Sequence, residues 1–161
     1  MPITEVTKDA DRRMMMMVAE FEAPIERVWE MWSNPRLFER WWGPPGYPST
    51  VTEHDLSPGG TVRYHMTGPE GETYPGWWTV LEIDPPNRLM VKDGFADDEG
   101  NPDPEMPTMI MTVTLTAMGA KTRMTSESVF PSLEAMQQVL DMGAEEGMKA
   151  SVGQLEDLLA A

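Results

Sequence analysis

A chain of 161 residues, 40% apolar and 8% aromatic, is long enough for one globular domain with a sizeable core. Its 27 acidic against 12 basic residues leave a net charge of −15, which repels phosphate backbones and anionic lipid surfaces and argues against nucleic-acid and membrane roles. The absence of cysteine removes disulfides, thiolate metal sites and cysteine nucleophiles.

Residues 1–12 are polar and are expected to be a flexible N-terminus, with a single domain over residues 13–161. The apolar run Met14 to Ala19 is too short for a signal peptide and is followed by Glu20 and Glu22. No stretch is long enough to cross a bilayer, so a cytoplasmic location is expected. Arg13 to Glu22 reads as a strand. Alternation along it sends the neighbouring methionines of MMMM to opposite faces, which disfavours a thioether metal site. Pro24 suits a first helical turn, and Val28, Met31 and Trp32 follow at helical spacing until Asn34-Pro35. A short second helix, Arg36 to Trp42, is stopped by GPPG.

From Ser49 the period becomes two. Strands are expected over Ser49–Leu56, Thr61–Gly68, Tyr74–Asp84 and Arg88–Asp93, with turns at SPGG, GPEG and DPPN. Asp93–Pro107 is acidic and rich in Pro and Gly, hence a mobile loop that would lie near one rim of the sheet. Met109, Met111, Val113 and Leu115 alternate along the next strand, and Thr122–Phe130 forms the last. After the N-cap Ser132, an apolar stripe from Met136 to Leu159 predicts one long helix. Gly143, Gly147 and Ser151 stack on one side of it, either for close packing on the sheet or to leave room for a ligand. The order β-α-α-β-β-β-β-β-β-α is that of an α+β protein, an antiparallel sheet of about six or seven strands covered by the final helix.

Chemical signatures are few. There is no G-x-S-x-G elbow, phosphate loop or dinucleotide fingerprint, and no metal or other cofactor is expected. His54 and His65 flank the SPGG turn. If Leu56 pairs with Thr61, His54 shares a wet face with Arg63 and His65. If a bulge shifts the register by one, it joins Val62, Tyr64 and Met66 and becomes a polar anchor of an apolar pocket. Glu145 and Glu146 face different sides of the last helix and read as solvated.

The runs FEAPIERVWEMWSNPRLFERWWGPPGYP, HDLSPGGTVRYHM, DPPNRLMV and EEGMKASVGQLEDLLA resemble the bacterial single-domain relatives of the activator of heat-shock protein 90 ATPase, in the START-like or SRPBCC superfamily. The likeness spans about Met14 to Ala160. It implies the helix-grip fold, a curved antiparallel sheet around a long C-terminal helix, with two short helices after the first strand closing one end of a cavity. The superfamily includes lipid and hormone carriers, polyketide cyclases, resistance proteins and co-chaperone domains, and fold does not choose among them. The expected function is binding of a small apolar or aromatic molecule, with a cyclase- or hydrolase-like enzyme and a chaperone-binding module as alternatives. The candidate ligand contacts are Trp32, Trp41, Trp42, His54, Tyr64, Met66, Trp78, Met109, Met111, Met148 and Val152. Trp41 and Trp42 would either flank the cavity entrance or cap the core. The expected partner is a small ligand, with a chaperone as the alternative, and the expected state is a monomer or homodimer.

Overall fold

The computed structural model describes residues 2–161. The chain folds as β1 (Ile3–Asp9), β2 (Met14–Phe21), α1 (Ile25–Ser33), α2 (Pro35–Phe38), β3 (Ser49–His54), β4 (Thr61–Thr67), β5 (Thr73–Asp84), β6 (Arg88–Phe95), β7 (Thr108–Met118), β8 (Lys121–Val129), α3 (Leu133–Asp141) and α4 (Ala144–Ala160). All strands join one antiparallel sheet in the order β1-β2-β8-β7-β6-β5-β4-β3. The sheet curves without closing, and the C-terminal helix lies in its hollow, as a helix-grip fold requires. No helix among the described residues is long and apolar enough to cross a membrane.

Four sequence-based expectations need correction. The segment expected to be a flexible N-terminus forms β1, paired with β2 from Asp9↔Met14 back to Ile3↔Ala19. Its residues ITEVTKD carry little apolar signal because it is an edge strand, and only Ile3 and Val6 reach the core. The sheet therefore has eight strands, and the two short helices follow the second of them. On the far side, β6 runs past its expected end at Asp93 to Phe95, and a bridge between Ala96 and Pro102 ties the acidic loop beyond it.

The fourth correction concerns the cover. The expected single helix is two, α3 and α4, because Gly143 adopts φ +87° and turns the chain between them. An apolar stripe at helical spacing runs through both segments and hides the break. The side of the Gly143-Gly147-Ser151 stack is thus partly an elbow. Ion pairs from Lys8 and Lys149 to Glu145, at 2.7 and 2.8 Å, tie β1 to the start of α4. The Lys149 and Lys8 ammonium groups hold the Glu145 carboxyl down to about 2.

Two apolar clusters result. The main one joins α1, α2, β2 to β8 and α4 through residues such as Phe21, Val28, Trp32, Trp78, Val91, Val113, Met124, Val152 and Leu155. A smaller one holds α3 to the sheet through Met15, Phe130, Ala135, Met136 and Val139.

The two helix glycines separate backbone strain from helix propensity. Replacing Gly143 with alanine meets no steric obstacle but forces a Cβ into left-handed backbone, at a cost of about 1–2 kcal/mol. Replacing Gly147 with alanine, inside α4 and also facing open space, stabilises by about 0.5–1 kcal/mol. Urea unfolding of the two variants should therefore shift in opposite directions. A loss of stability at both positions would mean that the Gly147 site is closely packed.

Candidate functional site

The site is built on an aromatic plug. Val28, Met31 and Trp32 share the buried face of α1. Asn34 then caps α2 by accepting a 3.0 Å bond from the Arg36 N–H, with Pro35 in the first turn. This short second helix swings Phe38, Trp41 and Trp42 onto Trp32. Trp32 and Trp41 meet edge to face at 4.7 Å, Phe38 stacks on Trp42 at 5.0 Å, and Trp42 meets Trp78 edge-on at 5.5 Å. Trp41 is 0% exposed and its indole N–H donates 2.9 Å to the Met31 carbonyl. The adjacent GPPG turn is riveted to α4. Gln154 donates to the carbonyls of Trp41 and Gly43 at 3.4 and 2.5 Å, and the Gly43 N–H donates to the Ser151 hydroxyl.

Beyond the plug, sheet and helix do not meet. A cavity of about 340 Å³ lies at the seam between the two apolar clusters. Met15, Met17, Met109, Met111 and Phe130 form its sheet wall, Phe95 and Tyr74 flank it, and Met142, Gly143, Gly147, Met148 and Ser151 cover it at the α3–α4 elbow. Met15 and Met17 are the inward half of the MMMM run, as strand alternation dictates.

The sequence-derived candidates separate into two groups. Trp42, Tyr64, Met66, Met109, Met111 and Met148 line the cavity. Trp32, Trp41, Trp78 and Val152 are buried in the main core beside it and form none of its wall. Of the two adjacent tryptophans, Trp41 caps the core, while Trp42 is both plug and wall. His54 is also apart. A bulge after Val51 pairs His54 with Val62, the register that turns it to the inner face, yet it lies at the far end of β3 and does not reach the cavity. Burial and the nearby Arg36 charge lower its basicity.

Asp93 is the polar feature that the sequence reading missed. Along β6, Leu89, Val91 and Asp93 share the inward face, and Asp93 stands between Trp78 on β5 and Met109 on β7. Reading the alternation Leu89, Val91, Asp93 within the expected strand would have found it. Asp93 is half-buried and lines the cavity. Burial raises its pKa to about 7. The Trp78 indole N–H is near enough to offset this partly, without closing a hydrogen bond of ordinary geometry.

The Tyr64 ring crosses over Gly76, where a Cβ would fall 2.5 Å from the phenol oxygen. Glycine is required there so that the ring can lie against the β5 backbone. Burial first, then the Asp93 charge, raises the pKa of this phenol. Trp42 and Trp78 each leave a buried indole N–H without a partner beside it. The wall of an apolar cavity therefore carries a carboxyl, a phenol and one unused indole donor, that of Trp42, while the Trp78 N–H lies in the core beside it. No group of three or more His, Asp or Glu residues suited to a metal converges among the described residues.

Comparison with known proteins follows the same outline. The family model described as Activator of Hsp90 ATPase homolog 1-like protein matches residues 22–160. A crystal structure of a Mycobacterium smegmatis protein is 44% identical, covering 98% of this chain and 97% of that one, with a TM-score of 0.91. A solution structure from Arthrobacter aurescens is 43% identical over 98% of this chain and 91% of that one, with a TM-score of 0.94. Another, from Staphylococcus epidermidis, is 32% identical over 98% and 94%, with a TM-score of 0.84. No curated protein matches significantly.

The Asp93 environment makes a signed prediction. Below about pH 4 the carboxyl is protonated whether the chain is folded or not, and its burial costs little. As pH rises toward 7 the unfolded chain ionises while the folded chain keeps the proton, so stability falls, then levels off above the folded pKa. Asp93→Asn should remove this loss, on the order of 4 kcal/mol. Chemical denaturation of both proteins at pH 4, 5.5 and 8 tests it. The variant should gain on the wild type as pH rises, and a difference independent of pH would contradict the assignment.

Proposed function

From the chain's membership of the Activator of Hsp90 ATPase homolog 1-like family, we propose that it binds a small apolar or aromatic molecule in the cavity between sheet and elbow. The role that fits is a carrier, sensor or sequestering protein acting in the cytoplasm. The carrying observation is the unfilled volume of about 340 Å³ at the seam of two otherwise well-packed clusters. Protein interiors close such gaps, because lining atoms that face empty space forgo dispersion contacts. Methionine supplies much of the wall, and its flexible thioether adapts to guests of different shape.

The family description also admits a chaperone partner. The cavity favours a small molecule, because its wall is concave and apolar with a few polar groups gathered at one end. An enzymatic reading draws on the same polar end. Asp93 and Tyr64 converge, and a carboxyl with raised pKa is suited to proton transfer. His54, the other candidate for such a pair, stands too far along the sheet to take part.

Binding is tested with N-phenyl-1-naphthylamine, a neutral aromatic dye whose emission rises in apolar surroundings. Wild-type protein should give saturable enhancement. Gly147→Leu, which extends a side chain from a cavity-lining position with free space around it, should weaken binding at least tenfold while the circular dichroism stays native. Met111→Trp, from the opposite wall, is the second blocking variant. Absence of saturable binding, or binding unaffected by both substitutions, would rule the cavity out as the site.

A further inference from the structure

The cavity's polar end is one-sided in charge. Among its lining residues the titratable groups are Asp93, Tyr64 and Tyr74; none is lysine, arginine or histidine. No basic side chain helps to hold Asp93 ionised, and none of the ion pairs of the described residues includes it. Its cross-strand partners, Trp78 on β5 and Met109 on β7, are uncharged, as are Tyr64 on β4 and Met148 and Ser151 on α4, which line the same cavity. Burying an acid without its counter-ion is costly, and natural proteins seldom do so without a purpose.

We propose that this cavity selects apolar or aromatic molecules that carry a protonated amine, seated with the ammonium on the Asp93 carboxylate and the apolar body among the methionines. The inference rests on the binding function above and specifies its ligand class. Four observations converge on it. The carboxylate accepts hydrogen bonds and lacks a cation, so an ammonium supplies the missing half of a buried pair. The rings of Trp42, Tyr64, Tyr74 and Phe95 surround the same cavity, and aromatic faces attract cations, more strongly once water is excluded. The net charge of −15 raises the local concentration of cations at the surface and repels carboxylates. Finally, an acidic ligand such as a fatty acid would bring a second negative charge beside Asp93 with no basic group to offset it.

Three naphthyl probes of matched size test the proposal: 2-(1-naphthyl)ethylamine, 2-(1-naphthyl)ethanol and 1-naphthylacetate, each titrated calorimetrically at pH 8. In the wild type the amine should bind at least tenfold tighter than the alcohol, and the carboxylate should bind weakest. Asp93→Asn should bring amine and alcohol to within about threefold of each other while alcohol binding persists. A second readout needs no variant. At pH 5 the amine's preference in the wild type should shrink, since protonation removes the anionic partner. An amine-to-alcohol ratio near one in the wild type at pH 8, or a tenfold ratio retained in Asp93→Asn, overturns the proposal and leaves the apolar site standing. Failure of all three probes to bind overturns the apolar site as well.

Discussion

The contact between Trp32 and the Phe38–Trp41–Trp42 segment sets the architecture. Five rings, counting Trp78 from the sheet, interlock at centroid separations of 4.7 to 6.3 Å. Packing of this kind is rigid, because each ring has few torsions and its edge-to-face contacts fix both distance and tilt. The plug fixes the height at which α4 crosses the sheet, and the Gln154 and Ser151 bonds to the neighbouring backbone lock that height. Were these rings smaller, the helix could settle onto the strands and the interior would close.

The cavity is thus held open from its ends. At one end stands the plug, and at the other the α3–α4 elbow at Gly143 lets the cover change direction before it touches the strands. Between them the sheet presents methionines, which reach far but pack loosely, and Ser126 and Ser128, which are short, as is Ser151 on α4 opposite. The small side chains leave volume, and the long ones make its outline adjustable. Asp93 adds a fixed polar point to an otherwise compliant wall.

Much of this was legible from residue order. The period-two runs separated by Gly and Pro turns located the strands from β2 to β8, and the apolar stripe after Ser132 located the cover. The misses share a physical origin. β1 is polar because an edge strand on the rim of a sheet buries little, so its pairing with β2 leaves no hydrophobic trace. The elbow was hidden because a left-handed glycine between two helices need not disturb the apolar spacing on either side. At the site, the inward facing of Tyr64, Met66, Met109 and Met111 followed from alternation, whereas Trp32, Trp41, Trp78 and Val152 are buried in the core beside the cavity. Alternation reports a face and says nothing of depth. Asp93 was passed over because it stood where the expected strand met the acidic loop and was read with the loop's solvated acids.

The seam between the two apolar clusters bears on how perturbations combine. Met15, Phe130 and Val139 on one side and Met17, Tyr64 and Met111 on the other border the same empty volume and belong to separate packing groups. With that volume unfilled, a substitution in one group has few paths by which to alter the other, and the energetic effects of paired changes sum. A guest that touched both walls would join them, and the same pair of changes would then show a coupling energy. Cooperativity with the α3 segment would then come from outside the polypeptide.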